Sequence, residues 1–433
     1  MKDLLLIEAP IVVNALEEKT TVPPLNLAYI AAVCETAGFK VDIMDLNHGD
    51  KGLDKKIEDA GLIGISCFTH NYHDALDILR KTKEHGKKVV IGGPHVSFCY
   101  EEALRDGFDF VVRGEGEFVI LELLKRLKEG GDLNIRGLIF KENGKIRKNG
   151  VWRVENLDAL PFPARHLLKL HKYTYPGAIA TSRGCVNHCI FCSSRNISGR
   201  LRLRSAESVV EEITHLKNLG IDSFLVVDPN FAYDKKRTLE ICNGVEELEM
   251  EWYAELRLDH VDGEVIRKMA GSGCRVVRFG IESGSQRIVD FIKKGIELKD
   301  LLKTIETFVK NGITPVCGFM IGHPHETGKD FEKTMKLAKK IKDLGGEATF
   351  AVQTPYPGTY LFKNAERLDV KILHKEWNDY HHLNPVIETE SFTIDNLRRM
   401  LSDALLMNRE GGAKRKSFRN IALSRSSNSF INK

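Results

Sequence analysis

The chain of 433 residues lacks several features that would place it in a special class of protein. No stretch approaches the roughly 18 uninterrupted apolar residues of a membrane span. The apolar run at the start, MKDLLLIEAP, is too short for a secretory signal. The nine cysteines show no even pairing, which is typical of a reducing compartment rather than of a disulfide framework. We therefore expect a cytoplasmic protein with no membrane span.

An excess of charge of one sign is also absent. Lys and Arg number 64 against 60 Asp and Glu, so the formal net charge is only +4. This balance argues neither for nor against nucleic acid, but no basic block interrupts the first 400 residues, and we expect no nucleic-acid partner. Basic residues cluster only in residues 413–433, most simply as a solvated tail, with contact to an anionic surface as the weaker alternative.

What the sequence does have is one stretch with closely spaced cysteines. Residues 182–194 read SRGCVNHCIFCSS and hold Cys185, Cys189 and Cys192 in a C-x3-C-x2-C pattern. Three thiolates on one loop can reach a single inorganic cluster, although iron–sulfur clusters are normally held by four. The next cysteine is the distant Cys242. One iron would therefore be left open, and an open metal position is where substrate chemistry takes place.

A zinc ion is the alternative occupant of this stretch. Zinc sites usually show paired C-x2-C motifs or added histidines at short range, and His188 could be such a histidine. The stretch alone leaves both interpretations open.

The chain around and after these cysteines alternates short apolar strands with helices. Six β/α units are predicted from Ala178 to Gln353, too few for a closed eightfold barrel. Polar residues follow three of the strands: Asp228 after FLVV, Arg257 after WYAEL, and Glu282, Ser283 and Ser285 after RFGI. A carboxylate there suits an ammonium or ribose hydroxyls, and an arginine suits a carboxylate. For each charged residue alone, a salt bridge at the barrel rim is an equal explanation.

An earlier alternation of strands and helices precedes the cysteines. Short strands between longer helices predict a parallel, doubly wound sheet, which binds ligands at the carboxyl ends of its strands. Loop residues that suit close approach of a ligand follow three strands: Ser66 after GI, then Gly92, Gly93, Pro94 and His95 after VVI, then Gly114 and Glu115 after VVR. For any one loop, a tight turn alone would explain the glycines.

Taken together, these motifs resemble the radical S-adenosylmethionine (SAM) enzymes that contain a cobalamin-binding domain, in their class B methyltransferase-like subgroup. The cysteine pattern with Phe191 before its last cysteine, AELRLD, FGIESGS and GFMIGHP resemble the radical SAM part. PPLNLAYIAAVCETAGFKVDIMDLN, GLIGISCF, VVIGGPHVS and VVRGEGE resemble the cobalamin part. The implied organisation is a cobalamin-binding-like domain (1–147), a linker (148–172), a partial (β/α)6 radical SAM barrel (173–365), and a small helical region with the basic tail (366–433).

The resemblance also implies cofactors and a reaction. The three cysteines would hold a 4Fe-4S cluster that cleaves SAM reductively to a deoxyadenosyl radical. SAM would be contacted by Phe191, Asp228, Arg257, Glu282, Ser283 and Ser285. Cobalamin would be bound by Ser66, Gly92, Gly93, Pro94, His95, Gly114 and Glu115. The implied reaction is cobalamin-dependent methylation of an unactivated carbon of an organic substrate, with an electron donor such as ferredoxin or flavodoxin.

Two other functions stay open at this point. A radical SAM cyclase, oxidase or rearrangement enzyme would keep the fold and use cobalamin differently or not at all. A non-catalytic cluster or cobalamin sensor would belong to another class, but no output module is evident in the sequence.

The sequence departs from the resembled pattern in two places. Many cobalamin domains carry D-x-H-x-x-G, whose histidine ligates cobalt, and this motif is not found, since Asp45-Leu46-Asn47-His48 has the wrong spacing. His323 and His325 stand where many relatives carry an apolar residue and glycine. They could face the substrate or the surface.

Overall fold

The computed structural model describes residues 1–11, 21–374 and 376–409, so the predicted basic tail at 413–433 lies outside the described residues. Two largely parallel sheets organise this part of the chain. Among the described residues, none of the helices has both the length and the apolarity needed to cross a membrane.

The first sheet has seven strands. Its elements, in chain order, are β1 (Lys2–Glu8), α1 (Leu25–Thr36), β2 (Val41–Asp45), α2 (Leu53–Glu58), β3 (Ala60–Ser66), α3 (Tyr72–Glu84), β4 (Lys88–Gly92), α4 (Tyr100–Asp106), β5 (Phe110–Val112), α5 (Glu117–Glu129), β6 (Leu138–Glu142) and β7 (Lys145–Lys148). The strand order is β2-β1-β3-β4-β5-β6-β7, with β1 to β5 parallel and the β6–β7 hairpin antiparallel. The predicted doubly wound sheet is confirmed, and its order reverses between β1 and β3, where such sheets bind ligands.

The apolar run of β1 explains why helices cover both faces of this sheet. Leu4 and Leu6 pack beneath α1 and α5, whereas Leu5 and Ile7 pack against α3 on the opposite face. Because successive side chains of a strand point to opposite faces, a continuous apolar run requires burial on both sides.

The second sheet has six parallel strands in the order β15 (Glu347–Val352), β14 (Thr314–Ile321), β13 (Cys274–Glu282), β12 (Glu251–Leu256), β11 (Ser223–Val226) and β8 (Ala178–Ile179). The elements of this part are β8 (Ala178–Ile179), β9 (Ser182–Arg183), α6 (Ser194–Ser198), β10 (Arg202–Leu203), α7 (Ala206–Asn218), β11 (Ser223–Val226), α8 (Lys235–Val245), β12 (Glu251–Leu256), α9 (Gly263–Gly271), β13 (Cys274–Glu282), α10 (Gln286–Phe291), α11 (Leu301–Lys310), β14 (Thr314–Ile321), α12 (Gly328–Asp343) and β15 (Glu347–Val352). These strands confirm the six predicted β/α units of a partial barrel.

The last part of the described chain packs on the second sheet and also contacts helices of the first domain. Its elements are α13 (Tyr360–Lys363), β16 (Val370–Ile372), β17 (Ile387–Thr389) and α14 (Ile394–Arg409). Leu397, Leu401 and Ala404 of α14 join the core of the barrel. Between β16 and β17, the Trp377 side chain reaches the first domain and donates a hydrogen bond from Nε1 to Glu102 at 3.1 Å.

Candidate active site

The cysteine loop connects β9 to α6, beyond the carboxyl end of β8. Its three thiols are free and half-buried: Cys185, Cys189 and Cys192. Asn187 donates a hydrogen bond from Nδ2 to Cys185 Sγ at 3.5 Å. The Ile190 N–H donates to the Ile292 carbonyl at 3.1 Å, and the Ile190 carbonyl accepts from Leu361 at 2.9 Å. The loop is therefore held on the barrel from two directions.

The spacing of the sulfur atoms bears on the choice between zinc and a cluster. One zinc ion, with bonds of about 2.3 Å to sulfur, draws its ligands to within about 4 Å of one another. Within the described ranges, three metal-binding side chains have ligand atoms that all lie within 4.8 Å of one another: His95, Cys99 and Glu102. The three loop cysteines do not meet this criterion. His188 is exposed. The wider spread of the loop thiols suits a cluster of several irons.

Glu282 and Lys294 form a buried ion pair beside this loop. Glu282 ends β13 with φ of +70°, and its Oε1 lies 2.6 Å from Lys294 Nζ. A Cβ added at Gly280 would meet Glu282 Oε1 at 2.2 Å and Lys294 Nζ at 2.7 Å. Glycine at this position therefore makes room for the pair. The ammonium also lies 6.0 Å from the centre of the Phe191 ring, within cation–π range.

Arg257 lies at the end of β12, close to the same pair. Its guanidinium bonds to both carboxylate oxygens of Asp259 at 3.0 Å and donates to the Lys294 carbonyl at 2.8 Å. Burial raises the pKa of the Cys189 thiol, and the positive charges of Lys294 and Arg257 oppose this shift. The site thus places two cations where they favour a thiolate.

Asp228 serves the backbone that leads into the loop. Its carboxylate accepts hydrogen bonds from the Thr181 N–H at 2.7 Å, the Thr181 hydroxyl at 2.5 Å and the Ser182 hydroxyl at 2.7 Å. Burial raises the pKa of Asp228, and these donors oppose the shift. The structure therefore gives Asp228 protein partners and a positioning role.

Ser283 and Ser285 also point to protein groups. The Ser285 hydroxyl donates to Asp330 Oδ1 at 2.6 Å, and Ser283 Oγ lies 3.3 Å from Thr334 Oγ1. Both partners belong to α12, and a Cβ at Gly284 would meet the Thr334 amide nitrogen at 2.6 Å. The pair of serines fixes the end of β13 on this helix.

The two histidines after β14 have different surroundings. His323 is fully buried, its ring centre is 6.3 Å from that of Phe191, and burial lowers its pKa to about 4. His325 is half-buried, packs edge-on against Phe291 at 4.9 Å and lies 3.7 Å from Glu390. His323 thus lies beside Phe191 of the cysteine loop, whereas His325 contacts Phe291, which packs on the same apolar cluster as Ile190.

A cleft of about 490 Å³ lies between the two sheets. One wall consists of strand-end residues that the sequence had placed together: Ser66, Gly92, Gly93, Pro94, Gly114 and Glu115. The other wall comes from the second sheet and the cysteine loop: Ala180, Arg183, Ile197, Ser198 and Val227. Since Arg183 stands two residues before Cys185, the cleft opens beside the loop that carries the three thiols.

Buried ion pairs join the walls of this cleft. Arg202 contacts both oxygens of Glu115 at 2.6 and 3.0 Å. Arg183 lies 2.7 Å from Glu117 and 3.6 Å from Glu115, with its guanidinium 5.1 Å from the centre of the Tyr29 ring. Sequence reasoning assigned no role to either arginine. The sequence does offer a signal for Arg183, namely its position in SRGC, two residues before Cys185.

Two histidines of the first domain do not line this cleft. The His95 ring packs between Tyr72 and Trp377, at centre distances of 4.6 and 4.9 Å, because its loop turns the side chain away from the strand ends. His48 packs edge-on against Tyr173 at 4.6 Å and lies 3.9 Å from Asp45. The structure thus places His95 apart from the other predicted cobalamin residues.

Comparison with known proteins shows the family to which this chain belongs. Residues 11–124 match the B12 binding domain and residues 179–338 the radical SAM superfamily. Over 405 residues the chain is 36% identical to an uncharacterized methyltransferase of Pyrococcus horikoshii, covering 89% of this chain and 88% of the relative. The chain belongs to the cobalamin-dependent radical SAM methyltransferase family. This confirms the resemblance and the enzyme class that it implied.

Two solved structures share the fold. The radical SAM methyltransferase TsrM from Kitasatospora setae, with cobalamin and a [4Fe-4S] cluster bound, superposes with a TM-score of 0.73 at 17% identity, over 92% of this chain and 82% of that one. The cobalamin-dependent enzyme OxsB, with aqua-cobalamin and SAM bound, gives a TM-score of 0.80 at 16% identity, over 94% and 67%.

The family confirms the cofactors as a 4Fe-4S cluster, SAM and cobalamin. A reaction of this kind needs an electron donor and a substrate. The residues present fit the cofactors. The loop supplies three free thiols. In the cleft, a Cβ added at Gly92 would meet only Val112, at 3.8 Å, so this glycine leaves space above the sheet. The buried Glu8 carboxyl lines the same cleft with an oxygen that has no hydrogen-bond partner.

Proposed function

We propose that this enzyme methylates an unactivated carbon of an organic substrate in the cleft between its two sheets. The observation that carries the proposal is the shared cleft, whose walls come from the strand ends of the B12-binding domain and from the start of the cysteine loop. When bound, the cluster supplies the electron that splits SAM into methionine and a deoxyadenosyl radical, and cobalamin supplies the methyl group. A shared cleft supports this function because both groups must reach one carbon.

The chain's own residues bind and orient in this proposal. Cys185, Cys189 and Cys192 hold the cluster. Glu282, paired with Lys294 at 2.6 Å, is an acceptor for the ammonium or ribose hydroxyls of SAM. Arg257 and Phe191 lie on the same side of the site as Glu282. Asp228, Ser283 and Ser285 act through the backbone that they fix, and the strand-end residues of the first sheet receive cobalamin.

The proposal also fixes the organisation of the chain. We assign residues 1–147 to cobalamin, 148–172 to the linker, 173–365 to the barrel and 366–433 to the C-terminal region. Ferredoxin or flavodoxin is the proposed electron donor, and nucleic acid has no proposed role. Nine unpaired cysteines and a cluster that needs reduction fit the cytoplasm as the compartment.

Anaerobic reconstitution tests this function. The protein is loaded with iron, sulfide and hydroxocobalamin, then incubated with SAM and a reductant. Wild type is expected to form deoxyadenosine, and the triple variant Cys185→Ala, Cys189→Ala, Cys192→Ala should form none. The matched control replaces the buried cysteines Cys242 and Cys317 by alanine, which should leave SAM cleavage in place. Wild-type protein that binds no iron and cleaves no SAM would contradict the proposal.

The fate of the SAM methyl group separates methylation from the alternatives. With SAM labelled in its methyl group, a methyltransferase moves the label through cobalamin to product. A cyclase, oxidase or rearrangement enzyme makes deoxyadenosine and leaves no label on bound cobalamin. A sensor binds both cofactors and turns over neither.

A further inference from the structure

One part of the cleft is an apolar trench along one face of the first sheet. Alternate residues of β1 share this face. Leu4 and Leu6 pack beneath α1, and Leu6 and Glu8 line the cleft. Glu8 pairs in register with Ser66 of β3. This pair stands where the strand order reverses, which is the ligand-binding position of doubly wound sheets.

The walls of the trench are side chains from the sheet and from α1 and α5: Leu6, Leu27, Val90, Val112 and Ile120. Gly92 leaves space between the sheet and the helices, since an added Cβ would meet only Val112 at 3.8 Å, whereas Gly64 makes room for the Leu6 side chain, which a Cβ would meet at 2.8 Å. A flat apolar group would fill such a space better than a hydrated polar one.

Glu8 closes this trench with a polar group that lacks a full set of partners. The residue is 5% exposed, and its Oε2 makes no hydrogen bond. Asn26 and Ser66 are its hydrogen-bonding neighbours, and they also bond to each other at 2.9 Å. A buried polar atom without a partner is rare in native proteins, so it indicates a missing ligand or water.

The surroundings of Glu8 keep its carboxyl protonated. Burial raises the pKa of Glu8 to about 8, and the carboxylate of Asp45 at the end of β2 adds to the shift. The other titratable groups facing it are the Cys67 thiol and the Tyr173 hydroxyl, and the latter donates to Asp45 at 2.9 Å. None of these groups is a cation. Near neutral pH Glu8 is therefore a hydrogen-bond donor.

We propose that the Glu8 carboxyl donates a hydrogen bond to the benzimidazole nitrogen of cobalamin and so holds the nucleotide tail in the trench. The proposal rests on the use of cobalamin in the proposed function. The trench selects this part of the cofactor because the benzimidazole is a flat apolar ring with one nitrogen that accepts a hydrogen bond when it is not on cobalt. The corrin periphery instead carries polar amides.

Binding of cobalamin and of cobinamide, which lacks the nucleotide tail, tests the proposal. The full-length protein is titrated with hydroxocobalamin and with hydroxocobinamide, and binding is followed by absorbance. Glu8→Leu has a side chain of similar volume but no hydrogen-bond donor. We expect it to weaken the binding of cobalamin about tenfold, the usual value of one buried hydrogen bond. Cobinamide binding should not change. Glu8→Gln keeps a donor and should bind cobalamin within about threefold of wild type.

The pH dependence gives a second readout. Wild-type affinity for cobalamin should fall as the pH rises above about 8, since Glu8 loses its proton there, and the affinity of Glu8→Gln should not. Bound cobalamin should show the spectrum of the form whose benzimidazole has left cobalt.

Each result decides between the hypotheses. Equal weakening of cobalamin and cobinamide in Glu8→Leu would place Glu8 against the corrin and overturn the proposal, as would unchanged binding of both. Iron content after reconstitution and the thermal midpoint establish that the variants fold. Wild-type protein that binds no cobalamin would contradict both this proposal and the proposed function. Failure of the Glu8 variants to behave as expected, with cobalamin still bound by wild type, would contradict only this proposal.

Discussion

Lys294 Nζ lies 2.6 Å from Glu282 Oε1, and each side chain is only about one-tenth exposed. The sequence predicts Glu282 as a SAM-binding residue but gives no role to Lys294, which lies twelve positions later in the stretch KKG. A buried carboxylate next to a cation stays ionised, whereas removal of the cation leaves an uncompensated charge.

Loss of Lys294 should stop SAM cleavage while leaving the cluster in place. In Lys294→Met, Glu282 loses the cation at 2.6 Å and is left as a buried charge without compensation, so it is no longer positioned to accept hydrogen bonds from SAM. Deoxyadenosine formation should fall at least about a hundredfold. The neighbouring Lys293 is exposed, and Lys293→Asn is the control with wild-type rates. Equal iron content in both variants is required, and a normal rate in Lys294→Met would remove Glu282 from the SAM site.

A single methyl group at Gly280 should have a related effect. The new Cβ of Gly280→Ala would stand 2.2 Å from Glu282 Oε1 and 2.7 Å from Lys294 Nζ, so the ion pair has to move. We expect weaker SAM binding, seen as a raised KM for SAM of about tenfold or more. Gly271→Ala is the control, because its Cβ would meet only Glu246 Oε1 at 3.7 Å. An unchanged KM in Gly280→Ala would show that the pair does not position SAM.

Glu326 should make stability depend on pH. Its Oε2 accepts from the Gly322 and His323 N–H groups, its Oε1 has no partner, and burial raises its pKa to about 7. Because the folded pKa is above the unfolded value, stability is fully present at low pH and is lost as the pH rises through about 7. Glu326→Gln removes this titration. Relative to wild type it should gain about 1–2 kcal/mol between pH 5.5 and 8.

Thermal or denaturant unfolding of the two apoproteins over this pH range checks the prediction. A constant difference between wild type and Glu326→Gln would show that the carboxyl does not titrate there.

The buried pair between the domains should contribute more to stability than an exposed one. Arg202 and Glu115 are both less than one-tenth exposed, so Arg202→Met leaves a buried carboxylate and should cost about 3 kcal/mol. Adding Glu115→Gln should restore part of this loss. Arg200 and Glu155 are 2.5 Å apart but more than two-thirds exposed, and Arg200→Met should cost less than about 1 kcal/mol. Denaturant unfolding gives the free energy of unfolding of the three variants. Equal losses for Arg202→Met and Arg200→Met would contradict the argument.

The periodicity of the sequence predicts most of the fold but misses some short or weakly patterned helices. All six strands that the sequence predicts between Ala178 and Gln353 are present in the second sheet. The helix Lys235–Val245 was missed, although Asp234 caps it by accepting from the Arg237 N–H. An Asp before a polar stretch is a usable signal, but the few apolar residues that follow hid the periodicity.

The sequence predicts which residues follow the strands but not where their side chains point. The register of β13 against β14 shifts between Gly280 and Glu282. A shift of one residue exchanges the faces of the side chains that follow. Ser283 and Ser285 consequently reach α12. His95 was likewise predicted from its loop, whereas its partner Trp377 comes from a segment far along the chain, and such pairings are invisible to local patterns.

The contact of Trp377 with Glu102 spans 275 positions of the chain. During synthesis the first sheet emerges early, yet the surface around His95 is covered only when the last quarter of the chain arrives. Contacts so distant in sequence form slowly, because a long loop must close before they stabilise anything. Until then the His95 ring lacks its contact with Trp377, and we expect incomplete chains to be more prone to aggregation than the finished enzyme.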